Sequence, residues 1–322
     1  MLDNTHFPKA KKFWHQGKLH DWDKVTVHSM SHALHYGNSV FEGIRAYKTS
    51  NGPSVFKLGD HLDRFLHSAS ILSMAVPYSK TEIEEVIKLV IKENQLDSAY
   101  IRPLLFHSYG NLGLLPKHCP VELAVAAWEW GAYLGEKAET GVHTYILPWR
   151  RIHHSQFDMT AKVGGLYALS TIGGAHARSM GFDEAIFLNI EGNIAEGAGE
   201  NIFIVKDGLL HTNDVSASIL QGITRTSILQ IAQDMGIRTS VGPITKEDFF
   251  NADEAFFSGT AVEVTPITHV TDGADRSAPE REYTIGSGEK GKLTQQIKEV
   301  FFDTVTGKIE RYESWLTYVY DE

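Results

Sequence analysis

Apolar residues recur along this chain in two rhythms, one suited to helices and one to strands. Between positions 81 and 94 they fall at Ile83, Val86, Ile87, Val90 and Ile91. That i, i+3, i+4, i+7, i+8 stripe predicts an amphipathic helix, opened by a Thr81-x-x-Glu84 capping box. An earlier helix is expected over 60–73, with Leu62, Phe65, Leu66 and Leu72 turned inward. Positions 99–106 and 121–130 are rich in β-branched, aromatic and aliphatic residues and read as strands. The rhythm breaks at Gly131-Ala132-Tyr133-Leu134-Gly135 and the charged Glu136-Lys137-Ala138-Glu139, so an inter-domain linker is placed over 132–142.

The second half resumes with a strand over 143–147, a helix over 166–180 and a strand over 183–188 that turns at 189–192. Asp207-Gly208, between the apolar runs 201–205 and 209–212, is the strongest short hairpin signal in the chain. Helices are expected over 224–235, closed by Gly236, and over 293–305. Strands and helices in both halves predict an α/β or α+β chain with a smaller N-terminal domain (1–131) and a larger C-terminal one (143–322).

Size agrees with that division, since 322 residues make one large domain or two of ordinary size. Apolar residues are 42% and charged residues 22%, which excludes a disordered chain. The formal net charge is −10, and no Lys/Arg run exceeds a pair, a poor match to a nucleic-acid backbone. Cys119 stands alone, so neither an intrachain disulfide nor a cysteine-based zinc site is expected. The first 22 residues lack the apolar core of a secretory signal, and the longest apolar runs are about a third of the ~18 residues a spanning helix needs. A cytoplasmic protein is expected, without membrane or nucleic-acid partners.

Two motifs mislead. Gly286-Ser287-Gly288-Glu289-Lys290-Gly291 matches G-x-G-x-x-G, and 286–292 matches most of a Walker A loop. Leu293 stands where a magnesium-holding hydroxyl is required, and no βαβ unit follows, so a loop is expected rather than a nucleotide site. His28, His32 and His35 are spaced i, i+4, i+7, but no carboxylate joins them at ligand spacing. They are expected to pack or hydrogen-bond around a strand, and no metal site is assigned.

Four segments offer chemistry, although taken alone Lys162 reads as a surface lysine before a helix and the glycine-rich loop of 191–201 as a plain turn. Lys162 lies among small and apolar residues in Met159-Thr160-Ala161-Lys162-Val163-Gly164-Gly165-Leu166-Tyr167. A lysine that forms a Schiff base needs such desolvation, because its amine must be available well below the usual pKa of about 10.4. Glu191-Gly192-Asn193-Ile194-Ala195-Glu196-Gly197-Ala198-Gly199-Glu200-Asn201 sets two carboxylates and an amide among glycines. Leu220-Gln221-Gly222-Ile223-Thr224-Arg225 opens a helix whose free N–H groups suit an anion. Ser258-Gly259-Thr260-Ala261 offers hydroxyls and backbone donors, either as a phosphate loop or as a plain turn. On the substrate side, Tyr100 and Arg102 share one strand face, as do Trp128 and Trp130.

In order and identity these segments resemble the class IV pyridoxal-phosphate enzymes, and among them the branched-chain amino-acid aminotransferases. The resemblance runs from about Phe13 to Ser314 and includes His32-Ala33-Leu34-His35-Tyr36-Gly37, Val40-Phe41-Glu42-Gly43-Ile44-Arg45-Ala46-Tyr47, Tyr100-Ile101-Arg102-Pro103-Leu104 and Trp130-Gly131-Ala132-Tyr133-Leu134-Gly135. Gln221 stands where many relatives have proline, and Ala195 where several have serine. The resemblance implies a fold type IV enzyme, with a smaller N-terminal α/β sandwich and a larger barrel-like α/β domain.

It also implies roles. Lys162 holds pyridoxal 5′-phosphate and moves the substrate α-proton, Glu196 pairs with the pyridine nitrogen, Tyr167 donates to the phenolic oxygen and Asn201 supports the ring edge. Arg64, Leu220, Gly222, Ile223, Thr224 and Thr260 serve the cofactor, chiefly its phosphate. Tyr100, Thr260 and Ala261 bind the α-carboxylate, and Arg102 with Tyr36 binds a distal carboxylate. Phe41, Gly43, Trp130 and Tyr133 complete the pocket. The implied reaction is transamination between branched-chain L-amino acids and 2-oxoglutarate, by a homodimer or larger homo-oligomer in which Tyr36 crosses to the neighbouring site. The alternatives are relatives acting on D-amino acids or (R)-amines, an aminodeoxychorismate lyase, or a ligand-binding relative without turnover.

Overall fold

Each half of the chain builds a sheet that holds one set of the candidate residues in place. The structure, a computed structural model, describes residues 10–131 and 134–320. By contacts it divides into two units, one of residues 1–131, 161–167 and 303–322, the other of 132–160 and 168–302.

In the first unit, β1 (Lys12–His15) and β2 (Lys18–Asp21) form a hairpin, and a short helix α1 (His32–Tyr36) precedes β3 (Ser39–Phe41), β4 (Ile44–Thr49) and β5 (Gly52–Phe56). Helices α2 (Leu58–Ile71) and α3 (Lys80–Asn94) follow, then β6 (Ala99–His107) and β7 (Val121–Trp128). A late strand, Leu316–Tyr318, returns antiparallel to β5, and the sheet is antiparallel throughout. Helix α3 buries Ile83, Ile87, Val90 and Ile91, as its stripe predicts. Its cap lies earlier than expected: Ser79 and Glu82 form the capping box, because Ser79 is the last extended residue and Thr81 is already helical. The strand expected to reach Trp130 ends at Trp128, and His32 and His35 sit on a helical turn rather than a strand.

The second unit contains α4 (Lys137–Thr140), β8 (Val142–Arg150), most of α5 (Tyr167–Ser179), β9 (Glu184–Leu188), β10 (Ile194–Gly197), β11 (Asn201–Lys206) and β12 (Leu209–Thr212). After them come α6 (Ile223–Asp234), β13 (Arg238–Val241), α7 (Lys246–Phe250), β14 (Glu254–Gly259), β15 (Glu263–Asp272), β16 (Arg281–Thr284) and α8 (Lys292–Val305). The sheet order is β10-β9-β8-β15-β14-β11-β12-β13, with β8 parallel to both β9 and β15. A bridge from Ile194 to Ile244, just past β13, draws the ends of that order together, as the barrel-like expectation requires. Asp207 and Gly208 both have positive φ at the expected hairpin. The core of this unit gathers Ile146, Ile186, Ile202, Phe257 and Ile267.

The units depart from the sequence expectation at two places. Residues 161–167 join the first unit because Lys162 N–H donates to Ser68 and Gly165 N–H to Gly37. The C-terminal segment joins it through the Leu316–Tyr318 strand. Within the expected linker, residues 137–140 are helical and Val142 already begins β8, whereas Tyr133 lies outside the described residues. Among the described residues no helix is long and apolar enough to cross a membrane.

Candidate active site

Helix α2 turns His61, Arg64 and Ser68 to one side, at i, i+3 and i+7. His61 and Arg64 close on Glu42, a fully buried carboxylate between β3 and β4. Arg64 donates from Nε to Oε1 at 2.7 Å and from Nη2 to Oε2 at 2.8 Å, a bidentate fork. His61 Nδ1 lies 2.8 Å from Oε2. Burial alone would push the Glu42 carboxyl up, but the Arg64 charge and fork, with the His61 hydrogen bond, hold it well below the usual range. Burial pushes His61 down against the pull of Glu42, and Arg64 is the permanent counter-charge. Arg64 is not a surface residue of α2, since its side chain is 13% exposed.

Ser68 anchors the next layer. Its hydroxyl donates to the Arg64 carbonyl at 2.8 Å and accepts from Lys162 N–H at 2.8 Å. Phe41 N–H donates to the Lys162 carbonyl at 3.2 Å, and Val40 bridges Val163. The Lys162 backbone is thus fixed from two elements, and its Nζ donates to the Tyr167 hydroxyl at 2.5 Å. That Nζ lies 4.9 Å from the centre of the Phe41 ring and 4.8 Å from that of Tyr167.

Around it, β6 carries Tyr100 and Arg102. Arg102 donates to the Tyr100 hydroxyl at 3.1 Å, and its guanidinium lies 4.8 Å from the Phe41 ring. Its Nε is buried without a hydrogen-bond partner, and among the described residues it pairs with no carboxylate. Tyr100 packs edge-on to Trp130 at 4.5 Å, and Arg45 donates to the Gly131 carbonyl at 2.9 Å, holding that corner. Gly43 is required here, because a Cβ would overlap the Tyr100 hydroxyl. Lys162, Tyr167, Phe41, Gly43, Tyr100, Arg102 and Trp130 are therefore brought together within the first unit. Tyr36 stands apart from them, donating to the Leu112 carbonyl at 3.2 Å from an exposed surface.

In the second unit, Glu196 on β10 is buried. Arg151 meets its Oε1 at 2.6 Å, and Oε2 accepts from Leu220 N–H at 3.2 Å and from Asn201 at 3.4 Å. The Asn201 amide also donates to the Leu220 carbonyl at 2.8 Å, so β10, β11 and the approach to α6 are tied together. Gly222 is the N-cap of α6 and provides no side-chain cap; a Cβ there would overlap the Asn201 carboxamide. The first-turn amides of Ile223 and Thr224 thus have the uncapped geometry that receives an anion. Thr260 and Ala261 occupy the turn from β14 to β15, beside a Ser258 hydroxyl that is buried without a partner.

Glu200 differs from Glu196. Burial, then the charges of Glu184 and Glu196, push its carboxyl up to about 8 against the pull of the Gly199 N–H.

Sequence reasoning missed Glu42, His61 and Arg151. Glu42 lay inside a quoted motif, but nothing local showed a carboxylate aimed at α2. Arg151 gave no signal beyond following β8. The Walker-like loop, in turn, finds its anion within the chain: Glu254 accepts from Leu293 N–H at 3.0 Å and from Thr294 N–H at 2.7 Å at the start of α8.

Comparison with known proteins places these residues in a family. Residues 39–270 match the family described as Amino-transferase class IV. The chain is 44% identical over 308 residues to a branched-chain-amino-acid aminotransferase of Pseudomonas aeruginosa, covering 95% of this chain and 96% of that one. It is 41% identical over 313 residues to the enzyme of that name from Escherichia coli, covering 97% and 98%. Among solved structures, an Escherichia coli branched-chain amino acid aminotransferase superposes with a TM-score of 0.91 at 40% identity, over 97% of this chain and all of that one. A second solved structure, a branched-chain amino acid aminotransferase of T.th. with pyridoxamine 5′-phosphate, gives a TM-score of 0.90 at 42% identity, over 97% and 99%. The chain is an aminotransferase, and it belongs to the branched-chain-amino-acid aminotransferases of class IV.

Proposed function

We propose that this enzyme transfers the amino group of branched-chain L-amino acids to 2-oxoglutarate in a ping-pong reaction, with pyridoxal 5′-phosphate as cofactor. The observation that carries the reading is Arg102, a guanidinium without a carboxylate partner among the described residues, beside Phe41 and within the cluster that holds Lys162. An aliphatic side chain finds aromatic walls there, and glutamate or 2-oxoglutarate finds a fork for its distal carboxylate.

The residues fit the cofactor. The uncapped start of α6 and the unpartnered Ser258 hydroxyl beside the Thr260 turn suit a phosphate. Glu196 suits a protonated ring nitrogen, and the Lys162–Tyr167 pair suits an aldehyde beside a phenolic oxygen. When bound, pyridoxal phosphate supplies a carbonyl that takes up the amino group and a ring that withdraws electrons from Cα. Lys162 provides the covalent attachment, then takes the proton from substrate Cα and returns it. Tyr167 orients the Lys162 amine through the hydrogen bond they share. Arg64, fixed on Glu42, Thr224 and Thr260 hold phosphate, with backbone donors of Gly222 and Ile223, while Leu220 and Asn201 orient Glu196. Tyr100 and the Thr260-Ala261 turn take the α-carboxylate.

A homo-oligomer is part of this reading. Leu34, Tyr36, Leu112, Leu114 and Leu115 are exposed on α1 and the segment it binds through His32 and Gly113. Apolar exposure of that extent supports a second copy as its cover, with Tyr36 reaching the neighbouring site. A cytoplasmic setting agrees with the single free thiol, Cys119. The test is a panel of donors with 2-oxoglutarate: L-leucine should yield L-glutamate far faster than D-leucine, D-alanine or either enantiomer of a simple arylamine. Preference for a D-amino acid or an amine would overturn the assignment.

A further inference from the structure

Three carboxylates, Glu184, Glu196 and Glu200, are buried in the second unit, yet they have unequal counter-charges. Glu184 has Arg178 at 3.5 Å, whose side chain is 52% exposed. Glu200 accepts from the Gly199 N–H at 2.9 Å and faces the charges of Glu184 and Glu196. Glu196 alone is joined by a buried cation. Arg151 and Glu196 are 8% and 6% exposed at the side chain and 2.6 Å apart.

Arg151 is itself firmly placed. Its Nη1 donates to the Ser170 hydroxyl at 3.0 Å, its guanidinium lies 5.5 Å from the Phe187 ring, and its backbone N–H donates to the Leu188 carbonyl at 2.9 Å. A guanidinium fixed from the strand, the helix and an aromatic face has one charged partner to serve. Its Nε is buried without a hydrogen bond, an uncompensated cost that points to a demand for charge at this position rather than for packing.

We propose that Arg151 is a positioning residue that decides where the proton between Glu196 and the cofactor's ring nitrogen resides. The inference rests on the reading of Glu196 as the partner of that nitrogen. A carboxylate and a pyridine compete for one proton, and the weaker base loses it. Arg151 contacts the Glu196 carboxylate directly, so it would weaken that base more than a ring nitrogen that the carboxylate itself holds. The proton then stays on the nitrogen, where it draws electrons from the reacting carbon. Without Arg151, Glu196 keeps the Leu220 N–H and the Asn201 amide as donors and faces the charge of Glu200. The proton moves from the ring nitrogen to a Glu196 oxygen, leaving neutral acid and neutral pyridine. Glu200, buried beside Glu184 and Glu196 with the Gly199 N–H as its donor, is pushed up by burial and those charges, the direction expected for a carboxyl without a buried cation in contact.

The test is ¹⁵N NMR of the holoenzyme loaded with ring-labelled pyridoxal phosphate, at one neutral pH. The wild type should give a pyridinium signal. Arg151→Met should shift the proton equilibrium at least about tenfold toward the carboxylate, equivalent to one pK unit, and Arg151→Lys should restore the wild-type signal. Should Arg151→Met lose the cofactor, Arg151→Gln replaces it, because a carboxamide still donates to Glu196 but brings no charge; the same shift is expected. An unchanged pyridinium signal in the neutral variants would overturn the proposal, as would a shift in Arg151→Lys equal to theirs. Glu196→Gln separates the two layers of inference, since a pyridinium signal that survives there defeats the reading of Glu196 itself.

Discussion

Replacing Arg102 by leucine should divide the two substrate classes, and the structure sets the size of the effect. Among the described residues the guanidinium makes one hydrogen bond, to the Tyr100 hydroxyl at 3.1 Å, and lies 4.8 Å from the Phe41 ring. Its Nε is buried and unsatisfied, so the charge is already removed from part of its solvent and awaits a partner. A distal carboxylate completes a charge-assisted fork, worth about 1.5–3 kcal/mol. That converts to roughly tenfold to somewhat over a hundredfold in binding. Leucine as substrate has no atom to offer the guanidinium, and a leucine at position 102 keeps the wall apolar. Half-reactions followed by the cofactor's absorption, run separately with leucine, glutamate and 2-oxoglutarate, measure the difference. Arg102→Leu should raise the Michaelis constant for glutamate and 2-oxoglutarate by that factor and leave leucine within about threefold, the context spread of such contacts. Equal losses for leucine and glutamate would refute the reasoning and assign Arg102 to the α-carboxylate that both share.

Three further outcomes follow from the same geometry. Lys162→Ala should lose transamination by several orders of magnitude, and borohydride reduction with peptide mapping should place the cofactor adduct on Lys162; an adduct on another lysine would sink the assignment. Glu196→Gln should retain cofactor but slow α-proton loss at least about a hundredfold, read by primary deuterium isotope effects with α-deuterated leucine; wild-type rates would transfer the role to another group. Glu42→Gln should destabilise the apoenzyme by about 3–5 kcal/mol at pH 7, because it strips the buried Arg64 of its counter-charge. Glu42 is depressed in the folded state, so its contribution is complete above its unfolded value near 4.5 and is lost as pH falls toward the folded value. Urea unfolding should therefore show the gap between wild type and variant narrowing below about pH 4.5, and a gap that stays constant into acid would contradict the buried ion pair.

Local rhythm explains which parts of the fold were legible. Helix α3 was readable because its stripe is set by residues three and four apart, and the Asp207-Gly208 hairpin because two adjacent residues dictate its turn. The capping box was misplaced by two residues because Ser79 and Thr81 both precede a glutamate by three positions, and only the backbone shows which one is still extended. Domain membership of 161–167 and of the C-terminal strand was illegible for a different reason. Both are decided by partners far away in the chain, Ser68 and Gly37 in one case and β5 in the other.

The candidate site divides along the same line. Lys162, Tyr167 and the Leu220–Arg225 segment are legible through the resemblance that joins them, since a lysine before a helix reads by itself as a surface residue. Their supports are not. Arg64 looked like any charged residue on a helix surface until Glu42, in the β3–β4 connection, was found beneath it. Glu196 and Glu200 are equivalent in the sequence, two acids on one glycine-rich loop. The fold gives one of them Arg151 and leaves the other facing carboxylates. The resemblance names Glu196, and the physical difference between the two acids lies in where the end of β8 and the start of α5 place a single guanidinium, which no local pattern in the sequence shows.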